Sequence, residues 1–463
     1  MTKTPQPQGL EPLDAVDAKV LPLTSRPIRT GLRLNIRGRS VQLRGLRRNP
    51  TGVLRWLAIL GPGLIATSAG NDAGGIATYS QAGAKFGYEL IWVMVLLTVS
   101  FAIVQEMCAR LGAATGRGLL DLIRERFGIG WALFAVAIIL IANAGVTVSE
   151  FVGIGAAMEL MGVSKYVAIP VGAVLIWYMV IFGSYARVEK MLLLMTLVFF
   201  AYPVAAFMAH PNWGEVARGA FIPKLRGDSA YIFLIVGLLG TTITPYIQIF
   251  QQSSLVEKGV ARRHYGPERI DAYVGAVFSN LMSISMIIAT AATLYVVGQR
   301  DIGSAADAAR ALEPVVGNAA TLLFGVGLLG ATLLAGAVLP LATAYAVSEA
   351  FGVPKGVNLD FRRGRVFFSL FTALIVIGAG FALIPAIPVM RLLVGVQVLN
   401  GVLLPIILVF ILLLINDKRL AGELKNTRRN NVLAFGTLIL ITTAVVVMLG
   451  SQLLDLIGIQ LFN

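Results

Sequence analysis

A run of apolar stretches, each about as long as a bilayer is thick, constrains this chain more than any other feature. A helix needs about 20 predominantly apolar residues to cross the hydrocarbon core. Read on that scale, the sequence divides into about eleven spans: 55–84, 88–111, 129–160, 167–184, 188–209, 229–257, 271–296, 318–348, 366–386, 390–415 and 432–456. Composition agrees, with 57% hydrophobic and only 13% charged residues, where soluble domains carry about a quarter charged. The expected class is an all-α integral membrane protein. Residues 1–54 read as a basic disordered cytoplasmic tail, 55–456 as the transmembrane domain and 457–463 as a short C-terminal tail.

The net charge of +14 invites a nucleic-acid reading, but the placement of the charges argues for topology instead. With the N-terminus inside, thirty of the 38 Lys and Arg residues fall in cytoplasmic segments and eight outside. That bias is the positive-inside rule. It predicts a multi-pass protein of the cell membrane, with the N-terminus cytoplasmic, the C-terminus outside and no nucleic-acid partner. The first apolar run starts near Arg55, after a Pro- and Arg-rich stretch, so no secretory signal is expected. Cys108 is the only cysteine and reads as a small packing residue. His210 and His264 are the only histidines. A His-Glu-x-x-His protease site is therefore absent, no nucleophile–base pair stands out, and an enzyme is not expected.

Two of the spans carry breaks. Span 1 holds Gly61-Pro62-Gly63, then Ala69-Gly70-Asn71-Asp72-Ala73-Gly74-Gly75. A carboxylate at mid-membrane costs roughly 2.5–3.5 kcal/mol even on a lenient scale, so it faces a cavity or a partner. Gly74 and Gly75 are expected to let the backbone unwind, and unwound carbonyls are cation ligands. No Lys or Arg stands at membrane depth to pair with Asp72, which points to a cation-binding carboxylate. Span 6 holds Gly240-Thr241-Thr242-Ile243-Thr244-Pro245-Tyr246, where Pro245 removes a helix donor. Breaks at corresponding positions of two five-helix sets point to a transporter site on an inverted repeat.

These residues resemble a known family. Gly61-Pro62-Gly63, Asp72-Ala73-Gly74-Gly75, Phe86-Gly87-Tyr88, Ala109-Arg110-Leu111-Gly112, Thr115-Gly116, Gly240 to Pro245 and Ser254-Leu255-Val256 are similar to the Nramp family of divalent metal transporters. The resemblance runs over about residues 55–456. It implies the LeuT-type fold, with spans 1–5 and 6–10 as inverted repeats and an eleventh helix. It carries over Asp72, the backbone carbonyls of Ala69 and Thr241, and Gln397 as metal ligands. Gly75, Thr244 and Tyr246 would line the cavity.

Departures from the family pattern bear on the cargo. The metal–proton symporters of the family carry Asp-Pro-Gly-Asn in helix 1 and Met-Pro-His in helix 6. Here Ala73 replaces the proline, Gly75 the asparagine, Thr244 the methionine and Tyr246 the histidine. In helix 3 Glu150 matches a family glutamate, while Thr147 replaces an aspartate. Thr244 offers a hard oxygen where a thioether would favour transition metals, and Gly75 is expected to widen the cavity. This pattern is similar to the Nramp-related magnesium transporters. Mg²⁺ as transported substrate, with Mn²⁺ also passing, is the expectation, and no cofactor is implied. Glu150, Thr147 and Glu106 mark a possible polar path.

Uniport follows from the lost titratable groups, because two charges moving inward at −100 mV gain about 4.6 kcal/mol. A proton-coupled Mn²⁺/Fe²⁺ symporter of the same family is the alternative, with Glu150 its strongest argument. An amino-acid or organic-cation carrier of the same fold is disfavoured, since Asp72 would repel a substrate carboxylate. The expected partners are the cation and the lipid bilayer. The sequence leaves the oligomeric state open, a monomer being compatible.

Overall fold

Two kinds of helix come from the apolar spans: long uninterrupted ones that face lipid on one side, and short ones that stop where a backbone donor is lost. The computed structural model describes residues 33–36, 39–42, 61–183, 185–260, 262, 265–310, 320–385 and 388–456. The chain divides into two units, Met1–Arg55 and Trp56–Asn463. In the first, strands β1 (Arg33–Ile36) and β2 (Arg39–Gln42) pair antiparallel, with Arg33 opposite Gln42. The rest of the basic tail lies outside the described residues, as do His264 and the segment 457–463.

The second unit is helical. Its main elements are α1 (Pro62–Ser68), α2 (Ala73–Phe86), α3 (Ile91–Thr115), α4 (Leu119–Phe127), α5 (Ile129–Leu160), α6 (Lys165–Ile181), α7 (Tyr185–Met195), α8 (Ala201–Met208) and α9 (Trp213–Phe221). They continue with α10 (Ser229–Thr242), α11 (Pro245–Glu257), α12 (Tyr265–Thr290), α13 (Ala320–Phe351), α14 (Arg365–Ala382), α15 (Val389–Asn416) and α16 (Arg428–Leu456).

Eight helical segments among the described residues are long and apolar enough to cross a membrane, counting α10–α11 as one. The other expected spans take different forms. The first is the broken pair α1–α2, the fourth is the 17-residue α6, and the fifth is α7 and α8 joined by a 3₁₀ turn, Thr196–Phe200. Helix α12 ends in a π-helical turn, Ala291–Tyr295.

Packing sorts these helices by depth. In α10–α11, 83% of the most apolar window is buried, against 28% in α16. The broken helix therefore sits in the protein interior and α16 at the lipid-facing edge, where Val432, Phe435, Ile439 and Leu453 are exposed. The heaviest contacts join α5 to α13 and α3 to α12. In a five-plus-five repeat these are counterparts, and a two-fold relation in the membrane plane brings counterparts together at its axis. The first unit of each repeat, α1–α2 and α10–α11, is the interrupted one.

Candidate cation site at the two helix breaks

Backbone arithmetic creates the site. Helix α10 ends at Thr242 and α11 begins at Pro245. The carbonyl of Thr241 would take its helical hydrogen bond from residue 245, and proline has no N–H to give. Helix α1 ends at Ser68, and residues 69–72 form a tight turn in which Gly70 and Asn71 donate back to Thr67 and Ser68. The carbonyl of Ala69 would pair with the N–H of Ala73, but that N–H donates instead to Glu150 Oε2 at 3.2 Å. Two main-chain carbonyls are thus released at facing helix C-termini, whose partial negative charge favours cations.

Asp72 caps α2 from an extended backbone (φ −71, ψ −179), and its Oδ1 accepts from Gly75 N at 2.5 Å. It also accepts from Gln397 Nε2 at 2.8 Å, while Oδ2 accepts from the Tyr246 hydroxyl at 3.3 Å. Tyr246 donates more closely to the Ala69 carbonyl, at 2.6 Å. Asp72, Glu150, Thr241, Thr244, Tyr246 and Gln397 are all fully buried. None of the ion pairs among the described residues includes Asp72. A buried carboxylate held only by neutral donors is short of a positive charge, which a bound cation would supply.

The glycines act differently from expectation. Gly74 and Gly75 are helical, lying in the first turn of α2, and the unwound residues are 69–72. A Cβ at Gly75 would stand 2.7 Å from Thr241 Oγ1 and 2.8 Å from the Gly70 carbonyl. A Cβ at Gly74 would overlap the Gln397 carboxamide, and one at Gly240 the Gln397 carbonyl. These residues are small so that α15 can wedge Gln397 between both broken helices. The wider cavity expected at Gly75 is corrected accordingly: Thr241, Asp72 and the backbone of residue 70 fill that space.

Other predicted positions are scattered. Glu150 joins the site, with its second oxygen accepting from Ser149 Oγ at 3.3 Å. Thr147 turns its hydroxyl onto the Asn143 carbonyl of its own helix and sets its methyl against Gly378 of α14. Glu106 pairs with Arg110 at 3.0 Å and accepts from the Tyr265 hydroxyl. It is a satisfied member of a separate polar cluster that also contains Asn426. Asn280 donates to Thr98 across helices, whereas Asn400 bonds within its own helix and orients the Gln397 carboxamide at 3.1 Å.

Sequence reading missed two supports. Asn71 ties the unwound segment to α12 through Ser279 and Ser283. Asp271 accepts from the N–H groups of Gly61, Gly63 and Leu64 at 3.0, 2.6 and 3.2 Å, holding the start of α1 against α12. The Gly-Pro-Gly run was the available signal, since free amides at a buried helix start need an acceptor. A cavity of about 760 Å³, lined by Tyr88, Asn212, Arg218 and Tyr295 among others, contains none of the predicted site residues.

Comparison with known proteins agrees with this architecture. The Natural resistance-associated macrophage protein-like family model matches residues 63–451. The divalent metal cation transporter MntH of Yersinia pestis is 30% identical over 388 residues, covering 81% of this chain and 91% of the relative. A manganese transporter structure from Eremococcus coleocola superposes with a TM-score of 0.71 at 17% identity, covering 88% of this chain and 90% of that one. MhsT in complex with L-phenylalanine superposes with a TM-score of 0.57 at 12% identity, covering 84% and 97%. At those identities the structural likeness speaks for the fold, which is that of Nramp and LeuT-type transporters. The extent of the family match, together with the paired breaks around Asp72, places the chain in the Nramp family.

Proposed function

We propose that this protein is a transporter, not an enzyme, and that it carries divalent metal cations across the cell membrane. The cation would be held by Asp72, the carbonyls of Ala69 and Thr241, and Gln397 after its carboxamide turns to present oxygen. The observation that carries this reading is Asp72 itself: a buried carboxylate at the junction of four half-helix ends with only neutral donors around it. Cation entry would displace Tyr246 from Ala69 and Gln397 Nε2 from Asp72. In this reading the chain crosses the bilayer about eleven times with its N-terminus cytoplasmic, by the distribution of Lys and Arg. A monomer contains every residue invoked.

Relatives described as divalent metal cation or manganese transporters favour Mn²⁺ as cargo. We take the proton-coupled alternative over uniport on the geometry of one residue. Glu150 supports that choice, because its Oε2 bonds the residue next to Asp72 and a second carboxyl group there can carry a proton. Mg²⁺ is the second reading, on one observation: Thr244 places an oxygen where the symporters have a thioether, and oxygen-only sites suit Mg²⁺ and Mn²⁺ alike.

The test is uptake into proteoliposomes with Mn²⁺, Mg²⁺ and Ca²⁺ in competition and a pH-sensitive dye inside. Saturable Mn²⁺ uptake that disappears in Asp72→Ala supports the reading, and normal uptake by that variant overturns the site. Internal acidification that accompanies cation entry and is lost in Glu150→Gln supports symport. A silent dye during demonstrable uptake returns the reading to uniport.

A further inference from the structure

Beyond the Asp72 site, α11 carries Gln248, Gln251 and Gln252, all fully buried. At i, i+3 and i+4 these share one helical face. Neither carboxamide atom of Gln248 or Gln251 meets a hydrogen-bond partner among the described residues, and the oxygen of Gln252 is likewise unpaired. Gln105 of α3 is in the same condition, fully buried with both atoms unpartnered.

The register of the two helices puts these groups at one depth. Trp92 of α3 bonds Tyr231 of α10, and further along Gly112 of α3 abuts Gln252 of α11. The helices therefore run side by side in the same direction, with a constant offset between the two contacts. Gln105 then stands level with Pro245, within about one turn of Gln248, by helical rise. Close approach of Gly112 to Gln252 shows that this stripe of α11 faces α3.

Each buried polar atom left without a partner costs roughly 1–3 kcal/mol. Apolar residues here would relieve that cost, so the buried carboxamides point to a polar partner such as water or a hydrated ion. It must offer both donors and acceptors, because the orphaned atoms include NH₂ groups as well as oxygens. A hydrated cation does this: its water shell accepts from the amide nitrogens and donates to the amide oxygens. Neutral carboxamides hold such an ion weakly, as a passage point must if the ion is to leave.

We propose that Gln105, Gln248 and Gln251 form a second, transient station for a hydrated divalent cation, on the Glu257 side of Asp72. This rests on the transport reading above and specifies the route of release. A cation leaving Asp72 would regain water here before crossing the end of the bundle where Arg117 and Glu349 lie.

Equilibrium Mn²⁺ binding to the detergent-purified full chain, followed by calorimetry and by the Mn²⁺ EPR signal, tests the station. Thermal melting and uptake are read alongside. The double variant Gln248→Leu/Gln251→Leu should melt at or above the parent temperature, since it removes orphaned groups. It should keep Mn²⁺ affinity at Asp72 within about threefold and lose at least tenfold in maximal uptake rate, with Asn replacements restoring part of it. Asp72→Ala should retain a weak, millimolar Mn²⁺ signal that the added Leu pair abolishes. Parental uptake in the Leu pair overturns the station. Loss of the high-affinity site in that pair also overturns it, by making these residues part of the Asp72 site. A parent protein that binds no divalent cation would instead defeat the transport reading on which the station depends.

Discussion

Glu150 Oε2 accepts a hydrogen bond from the backbone N–H of Ala73 at 3.2 Å, so the residue that follows Asp72 anchors the second carboxyl group of the site. The resembling symporters carry proline there, which has no N–H. Proline is well tolerated at the first position of a helix, and Ala73 is the first residue of α2. Ala73→Pro should therefore fold with little change in melting temperature while releasing Glu150. The measurement is the pH dependence of Mn²⁺ uptake, which should differ from the parent's, whereas in a Glu150→Gln background adding Ala73→Pro should change nothing further. An unchanged profile would show that the anchor has no part in coupling.

Tyr246 competes with the cargo. Its hydroxyl takes the Ala69 carbonyl at 2.6 Å and reaches Asp72 at 3.3 Å, and both oxygens are proposed cation ligands. A net hydrogen bond is worth about 0.5–1.5 kcal/mol. Tyr246→Phe should thus tighten equilibrium Mn²⁺ binding by roughly 2- to 10-fold, while uptake does not rise in proportion because release slows. Calorimetry with parallel uptake checks this, and weaker binding would make the hydroxyl a ligand instead of a competitor.

Thr244 and Gly75 separate selectivity from packing. Thr244→Met alone adds a thioether at the second break and should shift competition from Mg²⁺ toward Mn²⁺ and Cd²⁺, softer ions that sulfur favours. Gly75→Asn, which a wide cavity would accommodate, meets Thr241 Oγ1 and the Gly70 carbonyl under 3.0 Å from its Cβ. We expect it to lower stability by roughly 1–3 kcal/mol through overpacking, read as a lower melting temperature. An unchanged melting temperature would mean that the segment 69–72 gives way easily.

Asp271 latches α1. Three N–H groups of its first turn converge on one carboxylate, and hydrogen bonds to charged groups are worth about 1.5–3 kcal/mol each. Asp271→Asn keeps the shape but loses the charge. Amide exchange at Gly63 and Leu64 should accelerate about tenfold or more, corresponding to at least 1.4 kcal/mol, with exchange across α5 unchanged. Equal exchange in parent and variant would remove the latch.

Span length, the breaks at Asp72 and Pro245, and the burial of the Asp72 carboxylate were all legible in the chain, because each depends on local terms. Twenty apolar residues are a length, a proline is a missing donor, and a lone carboxylate in an apolar run is a desolvation cost. The sequence determined those by itself. What the tertiary structure decided is which groups meet them. Gln397 reaches Asp72 from 325 residues away, and Asp271 reaches the start of α1 from 207 to 210 residues away. Glu106, an equally buried acid on paper, lies against Arg110 and Tyr265 instead. Gly74 and Gly75 read as unwinding residues and serve as contact faces. Local propensity registers the missing Cβ in both cases. Only the packing of α15 and α10 against α2 reveals that the space was needed for another helix.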